Sequence, residues 1–194
     1  LRSLVGSEMC IRDRYKGSQE LNYRLTAATF YIKMNEKTAP EFKNKNLRLA
    51  IAQAINKKGY VKTVLNDGSL ASNNFTGIGT AKTPDGKDFA STVESPLKYN
   101  PKVAKQNWEK AKKELGKKEF AFTMNTQDTP AAKIAAEYIK SQIESNLPGV
   151  TLKIKQMPFK QKTTLELANN YEATYSGWSP DYPDPTAFLE TMTK

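Results

Sequence analysis

The sequence predicts an α/β fold in which helices pack around a sheet. In its second half, short stretches rich in β-branched and aromatic residues alternate with amphipathic helical patterns, an order typical of a lobe built around one sheet. Of the 194 residues, 38% are hydrophobic and 10% aromatic, enough to form a buried core. This length accommodates one large domain or a domain and a half.

The first fourteen residues differ in composition from the remainder. Residues 1–14 hold the single cysteine, Cys10, and contain no lysine although the rest of the chain is lysine-rich. They lack the continuous apolar stretch of a signal peptide and resemble the translation of sequencing-adapter DNA. We therefore interpret residues 1–14 as a non-native leader and assign Cys10 no role.

The segment from Leu21 to Met34 is rich in β-branched and aromatic residues and predicts a strand or two short ones. Asn44 to Asn46 offers a helix N-cap, and apolar residues from Leu47 to Ile55 follow at helical spacing. We expect this helix to end near Gly59. A second short helix is expected to stop at Asn66.

A long polar connection spans residues 68–101 and should lie over the surface, held there by its aromatic residues. Asn100 and Pro101 then predict a helix start, and Gly116 predicts its end. The remaining elements alternate between strand and helix: 119–124 (strand), 130–147 (helix, with Ile134 on its apolar face), 150–157 (strand), 158–169 (helix), 171–175 (strand) and 186–192 (helix).

The candidate functional site is the proline-rich segment Tyr175–Pro185. Its three prolines exclude regular structure, which predicts a rigid loop at a strand end, where binding groups usually lie. The loop carries Trp178 and two carboxylates, Asp181 and Asp184. The alternative is a surface turn whose aspartates cap the next helix.

Composition excludes several functional classes. The formal net charge is +10, but the lysines are scattered and arginine is scarce, which argues against nucleic-acid binding. The chain has no histidine, so Ser-His-Asp triads, Cys-His pairs and ordinary zinc sites are excluded. No apolar stretch approaches the roughly 20 residues of a membrane span.

Enzymatic chemistry has little support in the sequence. Asp181 and Asp184 are the only candidate acid–base pair, and two aspartates in one proline-locked loop cannot flank a sugar as glycosidase carboxylates do. No calcium-binding loop and no phosphate-binding glycine loop is present. We expect no enzyme activity, no cofactor and no metal.

Several stretches, in order, resemble the oligopeptide-binding proteins of ABC importers, the bacterial extracellular solute-binding family that also includes dipeptide and nickel binders. Each stretch is weak alone, but their order and spacing are specific over residues 15–194. The matching stretches are Met34-Asn35, Pro40–Lys43, Leu47–Asn56, Tyr99–Pro101, the helix with Ala104 and Ala111, Ile134–Ile154, Gly177-Trp178, Asp181–Pro185 and Phe188-Leu189.

The resemblance implies one lobe of a two-lobed, periplasmic-binding-protein-like (type II) fold with a mixed sheet flanked by helices. Residues 15–30 would be the end of the other lobe or the hinge, and residues 31–194 the C-terminal ligand-binding lobe, truncated at its C-terminus. It further implies a monomer outside the cytoplasm, either a lipoprotein on a Gram-positive surface or a periplasmic protein. There it would deliver oligopeptides to a membrane permease.

The resemblance also assigns site roles. Asp181 matches the aspartate that receives the peptide α-ammonium, and Trp178 would line the groove. The backbone of Ser176, Gly177 and Ser179 would pair with the peptide as an added strand. Phe159 matches an aromatic on a side-chain pocket.

Tyr175 and Glu166 stand where some relatives place arginine near the peptide carboxylate, which favours longer peptides. The alternatives are core packing for Trp178 and Phe159 and helix capping for Asp184.

Other functions remain open at this stage. Within the family, the ligand could be nickel or a glycan, or the protein could be a pheromone or sensory receptor. An enzyme would require the missing lobe to supply the catalytic groups.

Overall fold

The computed structural model describes residues 14–15, 17–19, 26, 28–182 and 184–190. Residues 1–13 of the predicted leader (1–14), residues 21–25 and 27 of the predicted first strand, and residues 191–192 of the last predicted helix lie outside them. The elements, in chain order, are β1 (Thr29–Met34), a 3-10 turn (Pro40–Lys43), α1 (Lys45–Ala54), α2 (Lys57–Tyr60) with a π-helical turn (Val61–Leu65), α3 (Phe89–Thr92), α4 (Pro101–Leu115), β2 (Phe120–Gln127), α5 (Pro130–Asn146), β3 (Val150–Met157), α6 (Phe159–Leu167), β4 (Ala173–Trp178) and α7 (Thr186–Leu189).

The four strands form one mixed sheet in the order β1-β4-β2-β3. β2 runs parallel to β3 and to β4, whereas β1 is antiparallel to β4. The parallel strands are connected through α5 and α6, as parallel pairing requires. This confirms the predicted α/β fold with a mixed sheet and flanking helices.

Helices α1, α4 and α5 pack on one face of the sheet and form the main core with it. Phe122, Leu152 and Ala173 supply the inward-facing side chains of three neighbouring strands. Trp108 of α4 is fully buried there, and its indole N–H donates to the carbonyl of Pro148 at 2.8 Å. Each large side chain buried in this way contributes about 1.5–3 kcal/mol, which fixes the helices on the sheet.

The first helix ends earlier than predicted. Asn44 caps α1 as expected, accepting from the backbone N–H of Leu47 at 2.9 Å, but Ile55 is already extended. Asn56 then starts a new helix by accepting from the N–H of Gly59. The predicted end near Gly59 is wrong because Gly59 lies inside α2, where a side-chain carbon would be 2.6 Å from the Tyr138 hydroxyl oxygen.

The long connection at residues 68–101 contains local structure that the sequence analysis did not predict. Asp88 caps the short helix α3 by accepting from the N–H of Ala90. Phe75 holds the connection against the sheet, since its ring contacts Tyr31 edge-on at 4.9 Å between centroids. The prediction that aromatic residues hold this segment is therefore confirmed for Phe75.

Other limits of elements also differ from expectation. β2 continues three residues beyond the predicted Met124, to Gln127. Ile134, predicted on the apolar face of α5, is 58% exposed, because the buried stripe runs through Ala135, Ile139 and Ile143. Among the described helices, none combines the length and apolarity needed to cross a membrane.

Candidate functional site

The last strand carries much of the predicted site. β4 covers Ala173–Trp178, so it starts two residues and ends three residues later than the strand predicted at 171–175. The loop was predicted to begin at Tyr175, and its first four residues belong to the strand instead. They continue as strand because β1 pairs along the whole of β4, from Met34 opposite Ala173 to Thr29 opposite Trp178.

The carboxyl end of the sheet has a gap between β2 and β4. Their ladder has two pairs, Met124 with Ala173 and Asn125 with Thr174. Beyond them, β2 continues beside β3 and β4 continues beside β1 alone. The backbone of β4 past Thr174 therefore has hydrogen-bonding groups on its β2 side that no strand among the described residues pairs.

Chain connections on either side of this gap lead to opposite faces of the sheet. β2 is followed by α5, which packs in the main core. β4 is followed by the segment containing Ala187, whose carbonyl accepts from the indole N–H of Trp178 at 2.8 Å on the other face. Adjacent strands whose connections diverge in this way create the crevice in which open α/β sheets bind ligands.

Trp178 is half-buried and oriented by its bond to Ala187, so it is not an ordinary core residue. Ser179 and Asp181 follow directly and are exposed. The side chain of Asp184 turns back instead, accepting from the N–H and the hydroxyl of Thr186 at 2.8 and 2.6 Å. These bonds lower the pKa of Asp184, and they confirm its capping role.

Phe159 begins α6, directly after the carboxyl end of β3. Phe159 is 63% exposed, so it does not pack in the core formed by the described residues. It lies at the same edge of the sheet as Trp178, with β2 between their strands. The structure thus places all the predicted site residues along one edge without bringing Phe159 into contact with the β4 group.

Ser176 points to the α6 face, where a charged cluster lies. Its hydroxyl oxygen is 3.2 Å from Oε2 of Glu166, which also lies 3.1 Å from Nζ of the buried Lys162. Lys33 approaches the other carboxylate oxygen at 3.8 Å. The position that relatives were expected to fill with arginine is thus occupied by a carboxylate already engaged by two lysines.

Tyr175 points to the opposite, core face. Its hydroxyl lies 2.8 Å from that of Tyr60. Burial is the main cause that raises the pKa of Tyr175, and the neighbouring Tyr60 raises it further. The ring of Phe30 stacks on it, with centroids 6.1 Å apart. Tyr175 also lines a cavity of about 550 Å³ beneath β1.

Sequence analysis missed Phe30, Tyr60 and Lys57, which surround Tyr175 or line this cavity. They lie more than a hundred residues from β4 in sequence, so only tertiary structure brings them there. The one available signal was Gly177, a glycine between Tyr175 and Trp178 in a stretch that otherwise alternates as a strand. Within the described part of the chain, no group of three cysteine or acidic side chains is arranged to hold a metal ion.

Comparison with known proteins identifies the relatives of this chain. Residues 11–194 match the model of the bacterial extracellular solute-binding proteins, family 5. The chain is 34% identical over 176 residues to the dipeptide-binding protein of Lactococcus lactis, covering 86% of this chain and 32% of that protein.

Solved structures agree. An oligopeptide ABC transporter substrate-binding domain from Bacillus anthracis is 42% identical with a TM-score of 0.85, over 92% of this chain and 35% of that one. Listeria monocytogenes OppA bound to peptide is 37% identical with a TM-score of 0.85, over 92% and 36%. The chain spans about a third of the length of these relatives. The chain belongs to the bacterial extracellular solute-binding proteins of family 5, and its α/β sheet is that of type II periplasmic binding proteins.

Proposed function

We propose that this chain forms the peptide-binding surface of one lobe of an ABC importer's substrate-binding protein. The observation that carries the proposal is the side of β4 from Tyr175 to Trp178 that no described strand pairs, at the crevice where β2 and β4 separate. An extended peptide can add there as a strand, and backbone pairing gives affinity without reading the peptide's sequence.

Asp181 would receive the peptide's α-ammonium. It is exposed and lies three residues beyond the end of β4, whereas the neighbouring Asp184 is already used as a cap. A charge-assisted bond between carboxylate and ammonium is about twice as strong as a neutral one and fixes the direction of the peptide. Trp178, held by Ala187, and the exposed ring of Phe159 would contact peptide side chains.

Glu166 is engaged by Lys162 and Lys33, so neither it nor Tyr175 supplies a cation for a peptide carboxylate. We therefore infer that the site has no length-limiting clamp made from these two positions. Peptides longer than two or three residues would extend past them.

We further propose that the protein works outside the cytoplasm as a monomeric lipoprotein, without catalytic activity, and passes peptides to membrane permease subunits. The support is the family itself, whose members are solute-binding proteins, and the relatives named as dipeptide- or oligopeptide-binding. The second lobe of the binding cleft would come from the rest of a longer protein.

The test uses a longer protein that contains this chain together with the other lobe. Peptides released from the purified, denatured protein are identified by mass spectrometry, and binding of mixed tetra- to octapeptides is measured by calorimetry. Co-purified peptides and heats of binding are expected. Absence of both would overturn the proposed function.

A variant pair tests the role of Asp181. Asp181→Ala should weaken peptides with a free amino terminus at least tenfold, and N-acetylated peptides much less, since only the former carry the ammonium. Asp184→Ala is the matched control in the same loop and should affect both peptide sets equally. Equal losses for both sets in Asp181→Ala would contradict the assigned role.

A further inference from the structure

The cavity beneath β1 has the size of a ligand site. Its volume of about 550 Å³ falls within the roughly 300–1,000 Å³ of small-molecule pockets. β1, α1, the turn after α2 and residues 67–78 enclose it. Most of its wall is apolar, with side chains including Phe30, Ile32, Ile51 and Leu65.

Lys57 places a cation in this apolar wall. Its ammonium donates to the carbonyl of Ala52 at 3.2 Å and to that of Leu97. An ammonium has three donors, so these two acceptors leave one N–H over. Among the described residues no carboxylate lies within 4 Å of Lys57.

The charge of Lys57 is therefore only partly compensated. Burial lowers its pKa to about 8, and no neighbouring charge opposes that effect. Lys57 is half-buried, and a charge partly withdrawn from water without an opposite partner is costly, so a bound anion would remove part of that cost. The lysine thus favours an anionic ligand.

Four further titratable side chains lie in the described wall: Tyr31, Tyr60, Tyr175 and Asp67. Tyr60 and Tyr175 bond to each other through their hydroxyls, and their pKa values are raised by burial, so both stay neutral. Among the described residues of the wall, Asp67 is the only acid, and its carboxylate accepts from the backbone N–H of Ser69 at 2.9 Å. Its negative charge acts against an anion in the cavity, so anion binding depends on the ammonium of Lys57.

We propose that this cavity binds an apolar molecule bearing a carboxylate, with the apolar body inside the cavity and the carboxylate on the ammonium of Lys57. Two sources share this chemistry: a free medium-chain fatty acid, and the C-terminal residue of a peptide with a large apolar side chain. The site lies on the core face of the sheet and does not require the added-strand binding proposed for β4.

The test uses the longer protein that contains this chain and the other lobe, with octanoate as the probe and octan-1-ol as its neutral counterpart, both measured by titration calorimetry at pH 7. Octanoate should bind more tightly than octan-1-ol. Lys57→Met should weaken octanoate about tenfold or more and leave octan-1-ol unchanged. Lys58→Met is the matched control, since Lys58 is exposed and outside the cavity wall, and should change neither.

A second arm needs no variant. Between pH 7 and pH 9.5 the unmodified protein should lose about tenfold in octanoate affinity as Lys57 loses its proton, while octan-1-ol binding stays constant. The proposal is overturned if octanoate does not bind. It is also overturned if octanoate binds equally strongly at both pH values and to Lys57→Met.

The two sources are separated with the tripeptide Ala-Ala-Leu and its C-terminal amide. If the free acid displaces octanoate and the amide does not, a peptide end is the ligand. If octanoate binds with the predicted Lys57 dependence and neither peptide competes, the ligand is a free fatty acid. Displacement by the amide as strongly as by the acid contradicts the carboxylate contact.

Discussion

The ring of Phe30 lies directly against the α-carbon of Gly177, its partner in the β1–β4 ladder. A side-chain carbon added to Gly177 would be 2.8 Å from Cε1 of Phe30. The backbone of Gly177 is not left-handed, so the neighbouring ring and not the backbone requires glycine. The ring of Phe30 also stacks on Tyr175, and both side chains line the cavity beneath β1.

Gly177→Ala should therefore destabilise the chain by about 1 kcal/mol, because the added methyl group forces the ring of Phe30 away. The loss stays small because Phe30 is 65% exposed and its ring can move. Urea unfolding measures the change. In a Phe30→Ala background, the same substitution should cost less than about 0.5 kcal/mol, since the clash is gone. An equal loss in both backgrounds would show that Phe30 is not the cause.

The stability of the chain should rise between pH 8 and pH 10 because of Lys57. Burial lowers its folded-state pKa to about 8, so in this range the unfolded chain holds a proton that the folded chain has released. Stability then increases with pH, by about 2 kcal/mol over this range for a shift from about 10.5 to about 8.

The measurement is the difference in unfolding free energy between the unmodified chain and Lys57→Met at each pH, which cancels the other titrations. From pH 8 to pH 10, the unmodified chain should gain about 2 kcal/mol of stability relative to Lys57→Met. Lys58→Met should show no such trend. A constant difference would contradict the buried-lysine assignment.

A hydroxyl on β2 should be removable with a gain in stability. Thr126 is fully buried, and its Oγ1 has no hydrogen-bond partner within the described residues. Thr126→Val keeps the shape and removes the unsatisfied group, which should stabilise the chain by about 1–2 kcal/mol. Thr151→Val, at an exposed position of β3, should change stability by less than about 0.5 kcal/mol. Thermal unfolding would contradict the expectation if Thr126→Val lowers the midpoint.

Much of the fold could be predicted because its signals are local. Asn100, Pro101 and Gly116 set the limits of α4, and alternation from Val150 to Met157 matched β3. The extent of β4 could not be predicted in this way. Gly177 and Trp178 carry no local preference that outweighs the following prolines, and they stay in the strand because β1 pairs with them.

The candidate site was predicted only in part for the same reason. Asp184 was identifiable as a cap from its place before a helix start, and the structure confirms this. The cavity behind Tyr175 is lined by Lys57 and by Tyr60, whose hydroxyl reaches that of Tyr175 across 115 positions of sequence. The gap between β2 and β4 arises because their ladder has only two residue pairs. The number of pairs depends on contacts between distant parts of the chain, so a local sequence pattern does not reveal it.

The cluster on the α6 face gives a final prediction. Lys162 is 4% exposed, and Glu166, at 3.1 Å, is the only carboxylate within 4 Å of it among the described residues. Glu166→Gln should therefore destabilise the chain by about 3 kcal/mol, because it leaves a buried ammonium without its partner. Combining it with Lys162→Met should recover most of that loss, since the uncompensated charge is then gone.

Lys33→Met is the control for the cluster. Lys33 lies 3.8 Å from the same carboxylate, but its side chain is 44% exposed, so solvent screens the pair and the loss should stay below about 1 kcal/mol. Urea unfolding of these three variants and of the unmodified chain measures these differences. If Glu166→Gln costs no more than Lys33→Met, the ion pair with Glu166 is not what compensates the buried charge of Lys162.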